Sequence, residues 1–484
     1  MKSNVEIKES SLVKWYPIIT FVLVVLGYVT GLEVYTVLVS SVLMAATVIL
    51  TVDIKPLIFF MLTFMYQFSA EHLPMRPYYS DHYYSGHRPY LLIASAVIIV
   101  LAVLIYVIKS RMLRFAAWGR IPLLIPLILF CASMVTNGFL VEGDDLMDLV
   151  WGLGQVLVYL VIYLLCFLGL HREKREALIR NFDTWVTLMS WIIVIEVLWF
   201  IVAGEESFSE VVNNRSLSLG IGNCNIVGAH AAMLIPANIY GFMKGKRPAL
   251  SIVTALFVYA VALVSTSRNA MLFGTFYFVL CFVICLFSGQ RKRQMGKLVA
   301  AFTVFLAVFA IIFREQITDV VELYLNRGMG NNGRYPLWEK GYEAFLESPI
   351  FGKGFYTIDL TTPNFFDKFD FSLVPDFAHN TIFELLGATG IVGFAGYSVY
   401  RISTFVLMLR RPSIDRIMLT LSASYIVVAS LLDNFILQIF TPVLYTVTVA
   451  IAAIIYEDDM ERERQLGAAL PRIELIENDK TLKK

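Results

Sequence analysis

Apolar runs long enough to cross a bilayer recur along almost the whole chain, from residue 15 to residue 456. A helix spanning the hydrocarbon needs about 20 mostly apolar residues, because in lipid the backbone has to satisfy its own hydrogen bonds. Runs near 15–31, 34–50, 55–70, 90–108, 121–137, 149–170, 184–203, 223–243, 249–265, 269–287, 298–313, 380–408, 417–432 and 436–456 meet that requirement. No soluble-sized gap separates them. The expected fold is therefore all-α: one polytopic membrane domain over residues 1–484 with about 14 (12–14) transmembrane helices. Only 16% of the residues are charged, against roughly a quarter in soluble domains.

The first run, Trp15 to Gly31, follows a short leader of mixed charge and has no small-residue cleavage site after it, so an uncleaved span is expected. The cysteines, Cys131, Cys166, Cys224, Cys281 and Cys285, lie within or at the edge of apolar runs. Their spacing suits neither a metal site nor a disulfide framework.

The sidedness of charge orients the spans. With the amino terminus cytoplasmic, 29 of the 39 lysines and arginines fall on the inner side, including Lys109 to Arg120, Arg172 to Arg180, Arg401 to Arg416 and the tail 457–484. The remaining 10 lie outside, a split in the direction that membrane insertion favours. Both termini are then cytoplasmic, and one long extracytoplasmic segment, 314–378, carries enough aromatic residues among its charges to form short interfacial helices. No internal repeat is visible, which disfavours a transporter built of two similar halves.

Three outer arginines sit beside span ends in Gly/Asn-rich or small-residue surroundings: Arg215 in Asn213-Asn-Arg-Ser, Arg268 in Ser265-Thr-Ser-Arg-Asn-Ala, and Arg334 in Gly330-Asn-Asn-Gly-Arg. A guanidinium on the disfavoured side calls for a compensating reason. A bound anion supplies one and a lipid phosphate supplies another. His379, in Asp376-Phe-Ala-His379-Asn380 at the start of a span, can take a proton from a hydroxyl or simply open the helix. Asp376 either orients it or caps that helix. His72, His82 and His87 show no paired-ligand spacing, so no metal site is expected. His230 and Glu196 lie within spans, where ionisable groups are functional candidates or interhelical hydrogen-bond partners.

Three segments together resemble the O-antigen ligase and O-antigen polymerase superfamily of bacterial surface-polysaccharide assembly. His379-Asn380, nine residues and then Gly390-Ile-Val-Gly393 is similar to that family's H-N-x9-G-x-x-G element, and Arg268-Asn-Ala-Met-Leu272 to its R-x3-L element. Between them, Gly333-Arg-Tyr-Pro-Leu-Trp338 and Ser348-Pro-Ile-Phe-Gly-Lys-Gly-Phe355 resemble its loop from an arginine and tryptophan to a Pro-x-x-G-x-G turn.

The resemblance implies a multi-helix membrane glycosyltransferase in the bacterial cytoplasmic membrane with its active site extracytoplasmic. It implies an inverting enzyme that uses an undecaprenyl-diphosphate-linked glycan as donor, a glycan as acceptor, and neither a metal nor another cofactor. Arg268, with Arg215 and Arg334, would bind the donor diphosphate. His379 would be the general base, supported by Asp376, Asn380 and Trp338. A chain-length regulator and a flippase are further candidate partners, and no nucleic-acid partner is expected. Polymerisation of O-antigen, capsule or exopolysaccharide repeat units is the leading expectation. Alternatives are a ligase acting on lipid A core or another surface acceptor, and a non-enzymatic transporter or flippase of lipid-linked sugars.

Overall fold

The computed structural model describes residues 10–67, 89–112, 118, 121–140, 145–204, 206–219, 221–289, 334–356, 378–410, 412–438 and 441–481, with isolated positions between 291 and 318. Asp376, the histidines at 72, 82 and 87, and all but position 311 of the expected 298–313 span lie outside the described residues.

Helices dominate: α1 (Ser11–Thr30), α2 (Glu33–Thr51), α3 (Lys55–Gln67), α4 (Pro89–Lys109), α5 (Leu124–Leu140), α6 (Asp145–Gln155), α7 (Ile162–Leu170), α8 (Arg175–Ala203) and α9 (Phe208–Asn214) form the first half. α10 (Cys224–Lys244), α11 (Pro248–Val264), α12 (Arg268–Phe287), α13 (Arg334–Glu347), α14 (Thr381–Leu409), α15 (Ile414–Ala429) and α16 (Val443–Thr481) follow. A two-residue antiparallel pair, β1 (Ser218–Leu219) with β2 (Gly222–Asn223), matches Ser218 to Asn223 and Leu219 to Gly222.

Among the described residues, eight helices are long and apolar enough to cross a membrane, α6 and α7 counting as one through the π-helical Val156–Val161. Three shorter apolar helices accompany them, in α3, α5 and α11. The chain is an all-α, multi-pass membrane protein. Its last two expected runs are occupied by α15 and by residues 443–455 of α16, which are buried throughout.

α10 forms the axis of the second half. It packs against α8, α11, α12 and α15, and its membrane window is wholly buried although it is the least apolar of the eight. Protein rather than lipid surrounds it, so a polar side chain within it can reach a partner on a neighbouring helix. Asn238 Nδ2 donates to Ser190 Oγ at 2.7 Å and to the Leu234 carbonyl at 2.9 Å. Asp183 on α8 accepts from Ser251 on α11 at 3.0 Å.

Charges separate between the two ends of the bundle. At one end Arg175 on α8 holds Asp415 and Asp459, each at 2.6 Å, while Lys244 reaches Asp415 at 3.6 Å and Arg416 reaches Asp459 at 3.5 Å. These bonds fasten α8, α10, α15 and α16 together. The opposite end, where α12 and α14 begin and α15 ends, carries Arg268 and His379.

Arg401 departs from its sequence-based placement among the inner-loop charges. It is only 5% exposed, in the second half of α14. Its guanidinium carbon sits over the rings of Tyr445 at 4.4 Å, Tyr400 at 4.7 Å, Tyr397 at 4.8 Å, Tyr159 at 4.9 Å and Phe130 at 6.0 Å. Ring faces supply the electrostatic compensation that carboxylates supply elsewhere.

Candidate active site

The turn after α15, residues 429–437, is the part onto which the other site segments dock. The Ser430 carbonyl accepts from the Thr381 amide at 3.0 Å and from its hydroxyl at 2.9 Å. Asn380 Nδ2 donates to the Leu431 carbonyl at 2.9 Å, and Asn269 Nδ2 donates to the Ala429 carbonyl at 2.8 Å. The starts of α12 and α14 are thus held on successive carbonyls of one turn. Asn380 has a second task, since its Oδ1 caps α14 by accepting the amides of Ile382 and Phe383.

His379 precedes that cap in the left-handed region, φ 51, which is unusual for a residue with a side chain. Its Nδ1 lies 2.5 Å from Asp433 Oδ1. The other oxygen of the same carboxylate accepts from Arg334 Nη2 at 3.3 Å. Asp433 is buried, whereas the histidine side chain is 44% exposed. A buried carboxylate fixes the ring by one nitrogen and stabilises the positive charge an imidazole acquires on taking a proton, leaving Nε2 for a substrate. Sequence reasoning missed Asp433 and offered Asp376, which lies outside the described residues, as either the orienting group or a helix cap. A signal was available, because Asp433 is the only charged residue between the last two apolar runs and falls on the side expected for His379.

Arg268 opens α12 immediately before Asn269, whose side chain docks on the turn that carries Asp433. Arg215 arrives by another route. It ends α9 with φ 56, and its Nη2 donates to Asn225 Oδ1 at 2.7 Å in the first turn of α10. Among the described residues its buried Nε has no hydrogen-bond partner. One turn further along α10, Gly228 lies so close to Ser265 and Ala270 that a Cβ there would collide with both. Arg215 and Arg268 are therefore at the same end of the bundle. The α9 start is set by a capping box in which the Ser207 hydroxyl and amide hold the exposed Glu210 carboxyl below its ordinary range.

Residues 252–398 match the family model described as O-Antigen ligase. This match supports the resemblance to the O-antigen ligase and polymerase superfamily. Among curated proteins the chain matches none. The matched segment contains Arg268, Arg334, Trp338, His379 and Asn380, while Arg215 and Asp433 lie beyond its two ends.

The two glycine-containing elements that resemble those of the superfamily fit into one another. α14 breaks its helical path at Gly390, φ 60, and the backbone groups freed there are taken by the turn after α13. Lys353 and Gly354 donate their amides to the carbonyls of Gly387 and Ala388, each at 2.9 Å. Ile391 and Val392 donate theirs to Pro349 and Ile350 at 2.9 and 3.2 Å. A Cβ on Gly352 would fall on the Ala388 carbonyl, and one on Gly390 on the Ile350 carbonyl. Asp148 on α6 secures the far end of the turn, accepting the Phe355 amide at 2.5 Å. Burial, with Asp148 nearby, pushes the Tyr356 phenol well up.

Trp338 stacks on Phe383 with ring centroids 5.6 Å apart, fixing α13 against the first turn of α14. That contact places Arg334, one turn earlier on α13, beside Asp433. His230 and Glu196 are separate from this constellation. Both are buried in the bundle, His230 bonds the Ile226 carbonyl through Nδ1, and its ring meets Tyr66 edge-on at 6.4 Å. Among the described residues no group of three His, Cys, Asp or Glu is arranged to hold a metal ion.

Proposed function

We propose that the chain is a membrane glycosyltransferase that polymerises undecaprenyl-diphosphate-linked oligosaccharide repeat units. The observation that carries the reading is the Arg334–Asp433–His379 constellation at the bundle end where Arg268 and Arg215 gather. A base and several guanidinium groups on one face suit a reaction that removes a proton from an acceptor hydroxyl while a diphosphate departs.

In that reaction the acceptor oxygen attacks the anomeric carbon of the donor glycan. Its proton passes to His379 Nε2, and Asp433 stabilises the imidazolium. The bond from the anomeric carbon to the phosphate oxygen breaks with its electron pair going to the lipid diphosphate, whose developing charge Arg268, Arg215 and Arg334 neutralise. Attack opposite the leaving group inverts the anomeric carbon, and the proton on His379 then leaves to solvent. The site end faces outward from the bacterial cytoplasmic membrane, and the Arg175–Asp415–Asp459 end faces the cytoplasm, as the distribution of basic residues favours.

The matched family's description, O-Antigen ligase, favours a second reading in which the glycan passes to lipid A core or another surface acceptor. Purified protein incubated with a lipid-linked repeat unit alone separates the two. A ladder of products supports polymerisation, and release of lipid diphosphate only on adding a second acceptor supports ligation. Neither product from a folded preparation would point to a transporter of lipid-linked sugars.

A further inference from the structure

Glu384 is fully buried in the first turns of α14 and takes no part in the chemistry above. One of its oxygens, Oε2, accepts two hydrogen bonds: from the Ala378 amide at 2.6 Å and from Asn434 Nδ2 at 2.9 Å. Ala378 immediately precedes His379, and Asn434 immediately follows Asp433. A single buried oxygen thus ties together the two chain segments whose side chains meet at 2.5 Å.

The other links between these segments, from Asn380 and Thr381 to the carbonyls of residues 430 and 431, secure the start of α14. Glu384 touches both the peptide on the amino side of His379 and the side chain beyond Asp433. That peptide is where control is needed, because His379 holds φ 51, in the left-handed region that few residues with a side chain adopt. A carboxylate suits the position: it accepts from two donors at one oxygen, and the start of a helix favours negative charge.

We infer that Glu384 is the positioning residue of the His379–Asp433 pair, setting the imidazole on its carboxylate by holding Ala378 and Asn434 on one oxygen. The inference rests on His379 being the base in the reading above. It predicts an effect on turnover rather than on donor binding, because the hydrogen bonds from Ala378 and Asn434 tie Glu384 to the segments that carry His379 and Asp433.

The test measures kcat and the donor KM for full-length protein in lipid nanodiscs, using a lipid-linked repeat unit as substrate. Glu384→Leu should lower kcat on the order of 10²-fold, the usual effect of a misplaced catalytic group, with the donor KM unchanged. Glu384→Gln keeps an oxygen in place and should recover most of that loss. Adding Glu384→Leu to His379→Ala should cost nothing further, since a positioning residue acts only through the group it positions. Wild-type kcat in Glu384→Leu, or a Gln variant as impaired as the Leu variant, overturns the inference while leaving the base role intact. Full transfer by His379→Ala overturns the base role itself, and this inference with it.

Discussion

His379 Nδ1 and Asp433 Oδ1 lie 2.5 Å apart although 54 positions separate the two residues in the chain. The contact exists because α14 begins where α15 ends, and the turn after α15 returns its only charged side chain to the start of α14. With one ring nitrogen fixed by a buried carboxylate, the other is presented in a single orientation. This is the requirement for efficient proton transfer.

Removing the imidazole and removing only the charge behind it should therefore differ in degree. His379→Ala should lower kcat by about 10²–10⁴-fold. Asp433→Asn keeps a hydrogen-bond acceptor but no charge, and should lower kcat by roughly 10- to 150-fold, the equivalent of about 1.5–3 kcal/mol for a charge-assisted bond. Steady-state turnover of a lipid-linked substrate reads both. An Asp433→Asn variant with wild-type turnover would remove the dyad from the mechanism.

The arginines should separate by what else they hold. Arg268→Ala should abolish transfer while the protein still inserts in the membrane. Arg215→Ala should raise the donor KM with little change in kcat, by roughly 10- to 150-fold if one charge-assisted contact is lost. Arg334→Ala should raise KM and lower kcat together, because Arg334 also bonds Asp433. Donor binding by Arg215→Ala and Arg334→Ala that matches wild type would dismantle the three-arginine donor site.

How much of this was legible in the sequence depended on the range of each interaction. Spans were readable because lipid solvation acts on every residue of a run, so local composition reports it directly. Arg268 and His379 stand out in the sequence because their neighbours form recognisable local elements. Asp433 stands out only as a lone charge between two apolar runs, since its partners come from α13 and from the start of α14. Arg401 was misplaced for a similar reason: near a span end an arginine reads as a loop charge, and only packing gathers Tyr159, Tyr397, Tyr400, Tyr445 and Phe130 around it. The glycines at 352, 354 and 390 were visible as a pattern, but their interlocking needs the break in α14, which no local periodicity encodes.

That interlock yields a prediction of its own. Gly352 has φ 72, and a methyl group there would occupy the Ala388 carbonyl, so the turn has to withdraw from the break in α14. Gly352→Ala should destabilise the protein by roughly 1–3 kcal/mol from backbone strain alone, and should lower activity as the start of α14 loses its brace. Thermal unfolding of the solubilised protein checks the first effect and turnover the second. An unchanged melting temperature would mean that the turn does not brace the helix.

Arg401 tests whether charge or shape holds the lower half of α14. A buried cation without a carboxylate loses several kcal/mol of hydration, while each desolvated ring contact returns on the order of 2 kcal/mol. With five rings within 6.0 Å, the planar guanidinium comes close to recovering that loss. Lysine keeps the charge but concentrates it on a more strongly hydrated ammonium that cannot stack against flat faces. Methionine removes the charge and fills much of the same space. Arg401→Lys should therefore be the more destabilised variant, by about 1–3 kcal/mol, and Arg401→Met should lie closer to wild type, since replacing a buried ion by a hydrophobic group of similar size is often neutral. Melting temperatures of the two variants decide it. A stable lysine variant beside a collapsed methionine one would show that the cage needs the charge itself and not the planar group that carries it.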